Sequence, residues 1–148
     1  MRYSIDEKPA AILCVLLGVL VAATIAPAGS YFFGNFIYFW LPQVGVFLLP
    51  VIVSSRPAVI SGAALVSALY LAAFYSWNYL NGPDSMAWLG YLFSLPGAAI
   101  GAVIGALHIK NKLKSQAAYV VTAIAASTFM GLAINQMLVC STVMYCGF

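Results

Sequence analysis

The residues that could do chemistry are few and lie far apart. His108 is the single histidine, Cys14, Cys140 and Cys146 are the three cysteines, and Asp84 is an isolated carboxylate. A zinc site needs three or four His, Cys or carboxylate ligands, commonly grouped at short spacing. His108 has no cysteine or carboxylate near it in sequence, and at the end of an apolar run its imidazole suits a helix C-terminus. A redox-active pair places two residues between its cysteines; Cys140 and Cys146 have five, residues 141–145. No glycine-rich loop follows a strand pattern, as phosphate cradling would require. The expectation is a non-enzymatic protein without catalytic residues, cofactor or metal.

Cys140 and Cys146 do suit a structural disulfide. A short loop can bring two α-carbons to the roughly 4.4–6.8 Å a bridge needs, and Gly147 eases the turn. Cys14 lies inside an apolar run and is expected to stay free.

The remaining polar groups are amides inside apolar segments. Gln43 follows Pro42, whose ring removes a backbone donor and leaves a carbonyl open, so its amide is expected to satisfy that carbonyl or a neighbouring helix. Asn35, Asn78, Asn135 and Gln136 lie nearer one surface. Gln43 and Asn135 are the candidates for a polar constriction if the chain conducts a solute. No Asp, Glu, Lys or Arg falls within an apolar run. Proton pumps, voltage sensors and carriers of charged substrates normally need such a residue within the membrane, and its absence counts heavily against those classes.

These groups must be positioned by membrane-spanning helices. The chain has 148 residues, 64% hydrophobic and 6% charged, with a mean hydropathy of +1.02. A water-soluble domain of this size cannot be so apolar, because its surface would have little to offer water. Apolar runs near the ~20 residues needed to cross a bilayer alternate with short charged or turn-forming segments. They place spans at about 9–26, 32–53, 58–78, 87–108 and 117–139, in one integral domain over residues 1–148. The fold class is an all-α, polytopic transmembrane bundle. The first run competes with a signal peptide ending near Ala26-Pro27-Ala28, but it is long and its leading segment is not cleanly basic. The second carries Pro42 and Pro50, so a kink or break is expected near Leu41. A broken or re-entrant second segment, leaving four full spans, is the alternative.

The fourth span organises the rest. Gly97, Gly101 and Gly105 recur every four residues, a glycine zipper that removes three side chains from one helix face and lets another backbone lie close. The fifth span repeats Ala123, Ser127, Gly131 and Asn135 at the same interval. Counting depth back from the lysine loop sets Gly101 level with Ala123 and Gly97 level with Ser127. Packing of spans four and five against each other is the plain reading, and a seam left open for a partner helix or a second copy is the sharper one. A milder stripe of Ala64, Ala68 and Ala72 marks span three. Aromatic residues crowd one half of the membrane, from Tyr31 to Trp40, Phe74 to Tyr79, and Trp88 to Tyr91. That is more than an interface belt needs, and a recognition surface on that side is the added expectation.

Five spans put the termini on opposite sides. With the N-terminus in the cytoplasm, Arg2, Lys8, Arg56, Lys110, Lys112 and Lys114 all fall inside, as the positive-inside rule requires. The net charge of +3 thus records topology and not a nucleic-acid surface. The expected location is the bacterial inner membrane, multi-pass, with the C-terminus outside. The expected partners are the lipid bilayer and another membrane protein or membrane-inserted toxin, with homo-oligomerisation a further use of the small-residue seam. By elimination, the functional expectation is helix–helix association, for example immunity against a pore-forming toxin. A channel or carrier subunit for a small neutral solute is the alternative. Alkaline phosphatase fused after Phe148 should be active, and fused at Lys112 inactive; the reverse pattern would overturn the topology.

Overall fold

The computed structural model describes residues 7–82, 87–110 and 116–142. Five helices form: α1 (Glu7–Ile25), α2 (Phe32–Val53), α3 (Pro57–Leu80), α4 (Ala87–Lys110) and α5 (Ala117–Thr142), with no strand among the described residues. All five are long and apolar enough to cross a membrane. The chain is a multi-pass, all-α bundle. The shortest helix, α1, has 19 residues, which at 1.5 Å each is about 28 Å and matches the hydrocarbon thickness.

The connections follow local chemistry. Gly29 adopts φ 133°, a conformation closed to most side chains, and its carbonyl accepts the Phe32 N–H at 3.1 Å to start α2. Arg56 is the extended N-cap of α3 and Pro57 its first residue, where a missing N–H costs nothing. Asn81 ends α3 by donating its side-chain amide to the Trp77 carbonyl at 2.8 Å, and Gly82 turns the chain away at φ 94°.

α2 is helical from Phe32 to Val53 straight through Pro42 and Pro50. The broken or re-entrant segment does not form, and no break appears near Leu41. Side chains of Gln43 and, from α4, Tyr91 bond the Phe39 carbonyl in the turn before Pro42.

α3 and α4 are the most buried helices. α5 lies along α4 in the most extensive pairing of the bundle and also touches α3. α1 lies along α3, and α2 bridges to α4. The centre is built largely from alanine: Ala63, Ala64, Ala68, Ala98, Ala102 and Ala106 are all buried, so helices approach closely. Leu71, Ile109, Ile124, Val120 and Val59 fill what remains. Facing the membrane are Leu13, Leu16, Leu20, Ile52, Leu69, Phe129 and Met137, all exposed in the bundle.

One contact at the end shared by α1, α2 and α3 was hidden in the sequence. Arg56 Nη2 donates to Glu7 Oε1 at 2.6 Å, with both side chains almost wholly buried, 7% and 2% exposed. Arg56, read first as a topology signal, also ties the start of α1 to the start of α3. Removing one partner strands a buried charge, whereas removing both does not. Glu7→Leu or Arg56→Leu alone should therefore lower stability by about 3–5 kcal/mol. The double variant should recover most of that loss, as read by thermal unfolding in detergent micelles.

Candidate functional site

The small residues of α4 and α5 meet. A β-carbon built on Gly101 would collide with the Ser127 carbonyl and crowd the Gly131 α-carbon; on Gly97, with Asn135 and the Gly131 carbonyl; on Gly105, with the Ser127 hydroxyl and Ile124. Gly131 in turn has no room for a side chain beside the Gly97 carbonyl and the Gly101 backbone. These four glycines are required because two backbones touch.

The register differs from equal depth. Gly101 sits against Ser127 and Gly131, and Gly97 against Gly131 and Asn135, so each meets residues one to two turns further along α5 than the loop count gives. The cause is interlocking. Shifting α5 lets Gly131 lie between Gly97 and Gly101, glycine against glycine, where the equal-depth register would have offered Ala123 to Gly101. Ala123 packs at the edge of the core instead.

The seam is filled from the inside and concave on the outside. A groove of about 350 Å³ runs along the membrane face of α4 and α5. Its floor is Gly97, Gly101 and Gly131; its rims are Ile100 and Ile104 on one side and Met130, Ile134 and Leu138 on the other. The rim residues are all more than half exposed. Ser127 and Asn135 are its only polar lining residues. Ser127 Oγ donates to the Ile124 carbonyl at 3.0 Å within its own helix. Asn135 Nδ2 donates across to the Phe93 carbonyl of α4, and Oδ1 takes no hydrogen bond among the described residues. Asn135 lies about 8 Å from the midpoint of α5 at 1.5 Å per residue, inside a hydrocarbon half-thickness of about 15 Å.

Gln43 is elsewhere and sealed. It is 1% exposed; Nε2 donates to the Phe39 carbonyl at 3.1 Å and meets Tyr91 Oη of α4 at 3.2 Å. Tyr91 Oη itself donates to the Phe39 carbonyl at 3.2 Å. The carbonyl deprived by Pro42 is that of Tyr38, four residues back; the amide reaches the next one. The neighbouring-helix half of the expectation is met by Tyr91. Gly18 of α1 closes over the other side, where a β-carbon would come within 3.3 Å of Gln43 Oε1. Gln43 and Asn135 approach α4 from different helices, α2 and α5, and do not line one passage.

A polar chain continues through the aromatic half. Tyr70 Oη is hydrogen-bonded to Ser94 Oγ at 2.6 Å and, when Ser94 is the donor there, donates to Gln136 Oε1 at 3.2 Å. Gln136 Nε2 reaches Cys140 Sγ at 3.4 Å. Tyr70 stacks on Tyr91 at 5.5 Å, and Phe39, Phe74 and Trp88 pack around them, Phe39 and Trp88 at 4.6 Å. Part of the aromatic excess is therefore interior packing, while Tyr31, Phe33, Trp77 and Tyr79 stay exposed. Cys140 is disulfide-bonded and Cys14 is free; Cys146 lies outside the described residues. Among the described residues no group of His, Cys, Asp or Glu could hold a metal ion.

Sequence reasoning missed the tyrosine–serine links and two further glycines. Gly62 of α3 would place a β-carbon 2.6 Å from the Val121 carbonyl of α5, and Gly18 lies on Gln43. Both are single glycines in apolar runs, a pattern that carries a close-approach signal but no indication of which helix comes close.

Comparison with protein-family models, curated proteins and solved structures finds no match to this chain.

Gln43→Leu should fold and insert but lose about 1 kcal/mol, the usual worth of an interhelical hydrogen bond in a membrane. Tyr91→Phe should cost a similar amount. Because both act on the Phe39 carbonyl, the double variant should cost less than the sum.

Proposed function

We propose that this chain is a small, non-enzymatic membrane protein that works by helix–helix association with another membrane-inserted protein. The concrete case is immunity against a pore-forming toxin, in which the bundle engages toxin helices within the bilayer and keeps them from opening. The observation that carries the reading is the glycine-floored groove of about 350 Å³ on the membrane face of α4 and α5. Lipid tails are as apolar as leucine, so helices associate in bilayers through close packing and interhelical hydrogen bonds. The groove offers both: a floor without side chains for backbone approach, and Asn135 Oδ1 as an acceptor. An apolar transmembrane helix bearing an amide or hydroxyl donor is the occupant that complements it, since an acyl chain has no donor to give.

The orientation proposed with this function is N-terminus cytoplasmic in a bacterial inner membrane, C-terminus outside. The placement of all six basic residues on one side supports it. The alternative, a channel or carrier subunit for a small neutral solute, would use Gln43, which is buried against Gly18, Phe39 and Tyr91.

The test is a photo-crosslinking amino acid placed in the groove rim at Ile104 or Met130, and for comparison at Leu16 on the open face of α1, in native membranes. The rim positions should capture one discrete membrane-inserted protein that Leu16 does not. That protein expressed alone should arrest growth, and co-expression of this chain should relieve the arrest. Ile134→Trp, which fills the groove from its rim, should abolish both capture and relief. Lipid adducts alone at all three positions would overturn the proposal.

A further inference from the structure

Two of the helix prolines are braced in the same way. Phe39 stands three residues before Pro42 and Phe93 three before Pro96, each on the turn that the proline ring pushes open. Both carbonyls accept a side-chain hydrogen bond from the neighbouring helix: Tyr91 Oη of α4 donates to Phe39, and Asn135 Nδ2 of α5 donates to Phe93. Gln43 completes the first brace by donating to the same Phe39 carbonyl and meeting the Tyr91 hydroxyl. Tyr91 lies two residues before Phe93, so the turn that Asn135 holds is the turn that carries Tyr91.

We infer that these braces are one coupled unit. The amide of Asn135 sets α4 at Pro96, and the hydroxyl of Tyr91 passes that setting to α2 at Pro42. A change at the groove is thereby felt at the buried Gln43. The physical reason is that each of these carbonyls is held both by its helical donor, one residue past the proline, and by a neighbouring side chain, and in hydrocarbon a lost side-chain donor is not replaced by water. Releasing Asn135 leaves the Phe93 carbonyl with its helical donor alone, relaxes the turn before Pro96 and moves the tyrosine that braces α2. Tyr91 is fully buried and stacked on Tyr70, so its hydroxyl follows the α4 backbone and cannot compensate by swinging freely. The unit is internal to the bundle and does not depend on which molecule fills the groove.

Asn135→Ala tests it, because alanine keeps the β-carbon that packs on Gly97 and removes only the amide. Hydrogen exchange in micelles should then quicken at the Gln43 backbone N–H, the helical donor to Phe39, by at least about twofold, beyond the scatter of independent sites. Exchange at Ala64 and Ala68 of α3 should not change. In a Tyr91→Phe background, where the link is cut, Asn135→Ala should add nothing at Gln43. In Pro96→Ala, which restores the missing N–H and closes the turn, the effect should shrink. An unchanged rate at Gln43, an equal increment with and without the Tyr91 hydroxyl, or a rise spread evenly over α3 would each overturn the inference.

Discussion

The backbone contact between α4 and α5 is the constraint on which the rest of the bundle depends. In lipid there is no hydrophobic gain from pairing two apolar helices, and dispersion between close atoms must supply it. That attraction falls off within an ångström, so it is available only where side chains are absent. Gly131 seated between Gly97 and Gly101 meets the condition. Once the two helices are locked there, their relative height and rotation follow. Asn135 then reaches the Phe93 carbonyl, Ser127 lies over Gly105, and Ile124 is turned toward both α4 and the Gly62 notch of α3. The same lock leaves isoleucine and methionine rims standing proud of a glycine floor, which makes the outer face concave.

Hydrogen bonding imposes the second order of organisation. Three prolines lie inside spanning helices, and each removes a donor in a medium where none can be borrowed from water. Around Pro42 and Pro96, side chains of the bundle bond the Phe39 and Phe93 carbonyls, each one residue beyond the carbonyl that the proline deprives. The amides of Gln43 and Asn135 and the Tyr91 hydroxyl are used at these two turns. Phenol rings in the dense aromatic half are long enough to carry a hydroxyl from one helix to the carbonyl of another while filling the space between with ring area. Tyr70 and Tyr91 do both, stacked on each other and joining α2, α3, α4 and α5 through Ser94, Gln136 and the Phe39 carbonyl.

Gln43 uses its amide on the Phe39 carbonyl and Tyr91, and Gln136 uses its own on Tyr70 and Cys140. The proposed role in association rests on what is left outside: a shallow concavity with one amide oxygen. Immunity to a pore-forming toxin is a task suited to such a surface, since it asks for recognition within the bilayer and for no turnover.

The number of helices, their lengths and their all-α class were legible from apolar run length, because a span must satisfy its own backbone over a fixed thickness and helices alone do so in single segments. The pairing of α4 with α5 was legible too, since glycine at every fourth position has few other uses. Register was not. Depth counted from a loop assumes that both helices start level, and a contact that decays over an ångström overrides that assumption by sliding α5 until glycine meets glycine. Nor could periodicity reveal that Arg56 would find Glu7, that Gly18 would close over Gln43, or that α2 would stay helical through two prolines. Each of these joins residues far apart in the chain, and only the packing of one helix on another decides which donor stands beside which acceptor.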